Sequence, residues 1–372
     1  MSSGSAQTDR AAVAPPDRWN ADAKRARFWG VALTVLLGVI IVLQVSHGPT
    51  EGIGVREVVH AALAKLGLVD ALPGTAQVIA ELRLYRALVS VGVGAALALS
   101  GALLQAVFRN QLASPSLIGV TTGASLGASV MMLLLSTSLT LTGSLAGLGP
   151  LLTVMAAFGG AALCTGIVTV LSTTGGRISV PTMLLVGIAL NAIVGGAIAA
   201  IQRFAVEDAD LMRALLTWTF GRLEDREGYQ VVVIWAGLAV AMAIVPRIAR
   251  ELDLFAAGED DAHALGVDTT RVKWLALGCA ALTAALAVAV AGQIGFVGLI
   301  APHILRNLVG RSNRHILLLS LVGGPVLLCG ADLGQRLILG YAPLPPGVMM
   351  SLLGGPFFIM LLLKNKKSVE AW

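Results

Sequence analysis

The chain has 372 residues, of which 56% are hydrophobic and only 13% charged, and its formal net charge is +5. With a mean hydropathy of +0.83 it carries far more apolar sequence than a soluble core needs, which excludes an ordinary water-soluble enzyme and indicates a polytopic membrane protein. The positive charge does not point to nucleic acid, because no basic stripe is interleaved with aromatic residues.

Residues before Phe28 are polar and rich in Ala and Pro, and no cleavage site follows the first apolar run. Residues 1–27 are therefore expected to form a disordered cytoplasmic tail, not a signal peptide, with a membrane domain over 28–372. Uncharged runs between charged or Gly/Pro breaks predict spans over 28–45, 87–108, 117–136, 150–171, 181–201, 229–245, 274–291, 297–309, 316–339 and 347–363, the eighth being short. The fold class expected is all-α integral membrane with about ten transmembrane helices. If the N-terminus is inside, the inner segments collect roughly twice as many Lys and Arg as the outer ones, so both termini are predicted to be cytoplasmic.

One segment departs from that charge rule. Leu252 to Asp268, LDLFAAGEDDAHALGVD, falls on the inner side yet is more acidic than basic together with its flanks. Leu254, Phe255, Ala262 and Leu265 stand near helical spacing around Glu259, Asp260 and Asp261, and Gly266 stands where a helix would stop. The pattern reads as a docking element for another protein, with a solvated linker as the plainer reading.

Within the spans, Gly119, Gly123 and Gly127 recur every four residues, which suits close helix packing or, alternatively, the wall of a pathway. Asn191 is a lone polar group among small residues, read either as pathway lining or as a helix-to-helix hydrogen bond. Gly292, Gly295 and Gly298 punctuate the entry to the short eighth span; non-helical backbone there has to be shielded by protein or line a wet cavity. Asp332 is the one acid within a long apolar run, and Arg336 follows one helical turn later, so pairing is expected ahead of a proton relay. His303, after Pro302, is read as structural, with haem or metal contact as the alternative. Cys164, Cys279 and Cys329 lack paired spacing, so no disulfide framework or metal site is expected. No catalytic set and no phosphate-binding loop of the Walker type is present, so any nucleotide energy has to come from a partner, and no cofactor is expected.

Several stretches carry a more specific likeness. LRLYRALVSVGVGAALALSGALLQAVFRNQLASPSLIGVTTGASLGA from Leu82, the acidic loop, GQIGFVGLIAPHILR from Gly292, ADLGQRLILG from Ala331 and LPPGVMMSLLGGPFFIMLLLK from Leu344 closely resemble the FecCD-type permeases. These are the membrane subunits of ABC importers for ferric siderophores, haem and cobalamin, and the likeness runs unbroken from about the second span to the C-terminus. It implies the type II ABC importer permease fold in a bacterial inner membrane, and transport by alternating access. The implied partners are a second permease subunit, as a homodimer, two cytoplasmic ATP-binding subunits, a periplasmic substrate-binding protein and membrane lipid.

Carried over residue by residue, the likeness puts ATPase coupling within 251–270, at Glu259, Ala262, His263, Leu265 and Gly266. It puts binding-protein docking at Arg83, Arg86 and Arg336, and pathway walls on the third, fifth, eighth and tenth spans, with Asn191, Gly119 and Gly123 as pathway residues. The outer segment from Arg203 to Gly228 is expected to hold a short gate helix. Two positions depart from the family pattern: Tyr85 and Gln111 stand where prolines are usual, which leaves the backbone free to stay helical at Tyr85 and less rigid near Gln111. The implied cargo is an iron carrier, haem or a ferric siderophore, with cobalamin as the alternative. A carrier driven by an ion gradient is disfavoured by the shortage of intramembrane carboxylates.

Overall fold

The computed structural model describes residues 16–47, 52–137, 148–174, 177–256, 258–340 and 344–364. The helices, in chain order, are α1 (Pro16–Ser46), α2 (Val55–Lys65), α3 (Ala76–Val107), α4 (Val120–Thr137), α5 (Gly149–Leu171), α6 (Val180–Phe204), α7 (Ala209–Phe220), α8 (Gly228–Leu254), α9 (Glu259–Ala264), α10 (Thr269–Ala291), α11 (Val297–Val309), α12 (Asn313–Leu339) and α13 (Pro346–Lys364). A 3-10 turn, Pro115–Ile118, precedes α4, another, Ala205–Glu207, precedes α7, and a two-rung hairpin, Thr173–Thr174 with Arg177–Ile178, joins α5 to α6.

Eight of these helices are long and apolar enough to cross a membrane, and two shorter apolar ones, Val297–Val309 and Pro346–Leu361, fall where the eighth and tenth spans are expected. The protein is an all-α integral membrane bundle. Helix is what lipid permits, since each backbone amide must find its partner within the segment. α3, with 32 residues, is about 48 Å long, more than the roughly 30 Å hydrocarbon layer, so it projects beyond it or tilts. α11, with 13 residues, reaches only about 20 Å. The remaining depth is covered by the non-helical stretch from Gly292 to Phe296, shielded by protein: Gln293 donates to Ser125 Oγ, and Gly292 lies against the carbonyl of Trp218.

α3 is the axis of the bundle. Its most apolar window is 89% buried, against 11% for α1 and α6, which therefore lie at the periphery. Small residues make that central position possible. A Cβ on Gly94 would stand 2.8 Å from Pro325, one on Gly101 would overlap the Gly298 carbonyl, and one on Gly324 would overlap the Gly94 carbonyl, so α3, α11 and α12 meet backbone to backbone. Polar side chains stitch the same contacts: Ser100 Oγ donates to Ala280 O at 2.7 Å, and Gln105 Nε2 donates to Gly298 O at 3.3 Å while its Oε1 accepts from Arg306. All three cysteines are free and buried.

The structure differs from the sequence expectation at several places. α1 begins at Pro16, well inside the tail expected to be disordered: proline suits the first helical position, and the following ADAKRAR run is made mostly of good helix formers. Residues before Pro16 lie outside the described ones. Leu252 to Asp268 is not one helix: α8 continues through Leu254, the chain breaks near Gly258 (φ +150°), and α9 is a separate short helix. Gly119 caps the 3-10 turn at φ +78° and so stands outside α4, since glycine alone takes that left-handed conformation at no steric cost. At Tyr85, by contrast, the expectation agrees with the structure: without a proline there, α3 runs on unbroken.

Candidate functional site

The acidic island of the sequence becomes a compact projection at one end of the bundle. Phe255, Ala262 and Val267 are buried and tie it to the bundle, while Glu259 Oε1 accepts from the buried Lys273 at 2.6 Å. Gly266 at φ +85° ends the helical turn, its amide bonding His263 O, and Asp268 Oδ1 then caps α10 by accepting from Arg271 N at 3.0 Å. What faces outward is Asp260, Asp261, His263, Leu265 and Gly266, with Leu265 67% exposed. Of the residues expected to form a docking contact, Ala262 is enclosed by its own chain and Glu259 is committed to Lys273. Leu265 is left as the exposed apolar group. A cavity of about 510 Å³ opens beside it, lined by Glu259, Asp260, His263, Lys273 and Ile178 of the hairpin.

At the opposite end, two of the three expected arginines, Arg86 and Arg336, are brought together and neutralised. Arg86 Nη2 meets Asp332 Oδ2 at 2.5 Å and Arg86 Nη1 lies 3.6 Å from Glu224. Arg336 Nη2 meets Glu224 at 2.5 Å and its Nε stands 3.4 Å from Asp332. Gln44 donates to Asp332 at 3.0 Å from α1. The pairing of Asp332 with Arg336 agrees with the spacing, but Arg86, Glu224 and Gln44 come from distant sequence and complete a network that spacing alone does not reveal. Asp332 is 2% exposed and Glu224 46% at the side chain, so the first is a fixed counter-ion and the second a reachable one. Arg83 stands apart, donating to the carbonyls of Val45 at 2.8 Å and of Ile53.

Glu224 belongs to the turn that follows α7, the short outer helix expected between Arg203 and Gly228. Asp208 caps α7 through Asp210 N and Leu211 N. At its other end Gly221 (φ +76°), Gly292 (φ +75°) and Gly347 converge: a Cβ on Gly292 would overlap the Trp218 carbonyl, and one on Gly347 would overlap the Gln293 carbonyl. Arg222 N donates to Ala291 O at 2.7 Å across this junction. Arg226 donates to Val290 O at 2.8 Å and Arg222 O at 2.7 Å, and burial, aided by Arg222, pulls its guanidinium down to about 10. A cavity of about 410 Å³, lined by Arg213, Trp218, Arg222, Arg226 and Gln230 among others, lies behind α7.

Of the residues expected on a pathway, Gly123 is closed against Gly160 and Cys164, whose atoms its Cβ would overlap or crowd, so its place in the structure is the α4–α5 contact. Asn191 Nδ2 donates to Ser116 O at 2.9 Å and its Oδ1 accepts from Thr122 at 2.5 Å, joining α6 to the 3-10 turn and α4. Gly119 faces Cys164, Leu190 and Val168 at ordinary contact distance. His303 is buried edge-on to Phe357, with ring centres 5.9 Å apart. Among the described residues no group of three His, Cys, Asp or Glu side chains could hold a metal ion.

The sequence model of the FecCD transport family matches residues 35–364. The cobalamin import system permease protein of Halobacterium salinarum is 35% identical, over 91% of this chain and 96% of that one. The hemin transport system permease protein of Yersinia pestis is 34% identical, over 77% and 83%. A solved inward-facing conformation of a metal-chelate type ABC transporter superposes with a TM-score of 0.73 at 26% identity, covering 91% of this chain and 99% of that one. The chain belongs to the FecCD transport family of ABC importer permeases.

Proposed function

We propose that the chain works as one of two identical permease subunits in the inner membrane, with both termini in the cytoplasm, driven by two ATP-binding subunits that grip the α9 projection. The observation that carries this reading is the build of that projection. It is braced from inside by Phe255, Ala262, Val267 and the Glu259–Lys273 pair, and it presents Leu265 and His263 to solvent. A short helix anchored on two long ones transmits force in both directions, and an exposed leucine beside acidic groups suits an apolar pocket with a polar rim. The excess of Lys and Arg at this end supports its cytoplasmic placement.

At the other end Arg86 and Arg336 serve to meet acidic residues of a periplasmic binding protein. Asp332 and Glu224 cancel their charge in the free subunit, so an approaching carboxylate displaces Glu224, the exposed one of the two. Arg83, held by two carbonyls, supports the α1–α3 corner. The cargo is an iron carrier, haem or a ferric siderophore. Cobalamin is the second reading, favoured by the name of the Halobacterium relative.

Purification from native membrane and mass spectrometry test the partner assignment. An ATP-binding subunit at equal stoichiometry, lost in Leu265→Arg, is the expected result; a preparation that lacks any ATPase and still takes up cargo on an ion gradient overturns it. Titrating haem-loaded and cobalamin-loaded binding protein against the reconstituted complex decides the cargo.

A further inference from the structure

We propose that the groove between the first turns of α1 and the start of α12 is a binding site for one anionic phospholipid. The groove encloses about 360 Å³ and is lined by Ala23, Arg27, Arg314, His315, Leu318 and Leu319, among others. It lies at the same end of the bundle as α9, because Asp253 at the end of α8 accepts from Ser312 Oγ at 3.1 Å and from Asn313 N at 2.5 Å at the head of α12. α1 is peripheral, so the groove opens on the outer flank of the bundle, where lipid stands.

Its chemistry is divided in the way a phospholipid is. Arg27, Arg314 and His315 converge from two helices, and neither arginine forms an ion pair among the described residues. Nδ1 of His315 is enclosed and has no hydrogen-bond partner among the described residues. Of the acids close by, Asp253 is engaged in capping α12 while facing His315, and Asp22 lies beside Gly310 on the α11 side of α1. One turn deeper, Leu318, 42% exposed, and Leu319 supply an apolar wall for an acyl chain. Phe28, 66% exposed, and Trp29 stack edge to face at this level, as aromatic residues do at a membrane boundary. Two guanidinium groups beside an imidazole suit a phosphate, and basic pockets between membrane helices take anionic headgroups. The leucine wall selects a lipid over a free phosphate. The α1 half of the groove precedes residue 35, where the family match begins, and the inference rests on the membrane fold alone, independent of the transport reading.

Native mass spectrometry of the full chain, titrated with phosphatidylglycerol or phosphatidylcholine of matched acyl chains, tests it. The unaltered chain is expected to hold one phosphatidylglycerol about tenfold or more in preference to phosphatidylcholine, in line with the attraction of two basic residues. Arg27→Gln with Arg314→Gln should abolish that preference. Lys24→Gln with Arg25→Gln removes the same charge from neighbouring positions on α1 outside the groove and should retain it. Preference that survives in the first variant, equal loss in the second, or complete displacement by an equal concentration of inorganic phosphate would each overturn the assignment.

Discussion

Glu224 and Asp332 hold the same two arginines with different consequences. Asp332 is enclosed, so Asp332→Asn leaves Arg86 and Arg336 short of a counter-ion in a place water reaches poorly; a loss of about 3 kcal/mol or more is expected, read as a lowered thermal midpoint in detergent. Glu224 is half exposed, and Glu224→Gln should cost little stability. If Glu224 competes with a docking protein for Arg86 and Arg336, the same change tightens binding-protein affinity several-fold in nanodiscs; unchanged affinity would separate Glu224 from docking. Gly266 raises a third case. Nothing crowds a side chain there, but φ is +85°, so Gly266→Val strains the turn after α9 without disturbing the bundle. Expected is a folded protein whose ATP hydrolysis no longer drives uptake, and normal uptake in proteoliposomes would count against the coupling role of α9.

Between helices, contact is set by the glycines that let backbones touch. Gly101→Leu forces a side chain into the Gly298 carbonyl and should abolish recovery of monodisperse protein, whereas Gly166→Ala, which meets nothing within 4 Å, should match the parent or exceed its stability by up to about 1 kcal/mol. Size-exclusion profiles of the two variants check this. The spans themselves were legible because apolar length and charge breaks are local properties, and the break at Gly292 to Phe296 showed in its glycine spacing. The start of α1 is not: ADAKRAR is polar, and polarity reads as disorder although its residues favour helix. α2 escaped notice because VREVVHAALAK is short and charged, while its buried Val58 and Ala61 face α1 and α3 in a way only packing reveals. The fourfold glycine spacing of Gly119, Gly123 and Gly127 spanned a helix boundary that the 3-10 turn from Pro115 creates. The arginine cluster was legible as a set of positions but not as a neutral network, since Glu224 reaches it from a loop 112 residues away in sequence.

The whole molecule is a rigid axis with exposed flanks. The apolar window of α3 is 89% buried, whereas α6 leaves Leu185, Ile188 and Ile193 uncovered, the last 70% exposed. If, as proposed, a second copy of the chain covers part of that surface, light scattering of the purified assembly should give two permease copies; a single copy that remains active would remove the homodimer. The glycine junction beneath α7 carries a mechanical consequence. With Gly221 against Gly292, Gly347 against the Gln293 and Phe220 carbonyls, and Arg222 bonded to Ala291, the inner end of α7 is a fulcrum. Its far end, where Asp210 is 93% exposed at the side chain, is the lever arm, seated through Leu211 and Leu215 on Met132, Leu133 and Ile201. Displacement of this helix is then angular, and a spin label near Asp210 sweeps an arc while one beside Gly292 keeps its distance to α10.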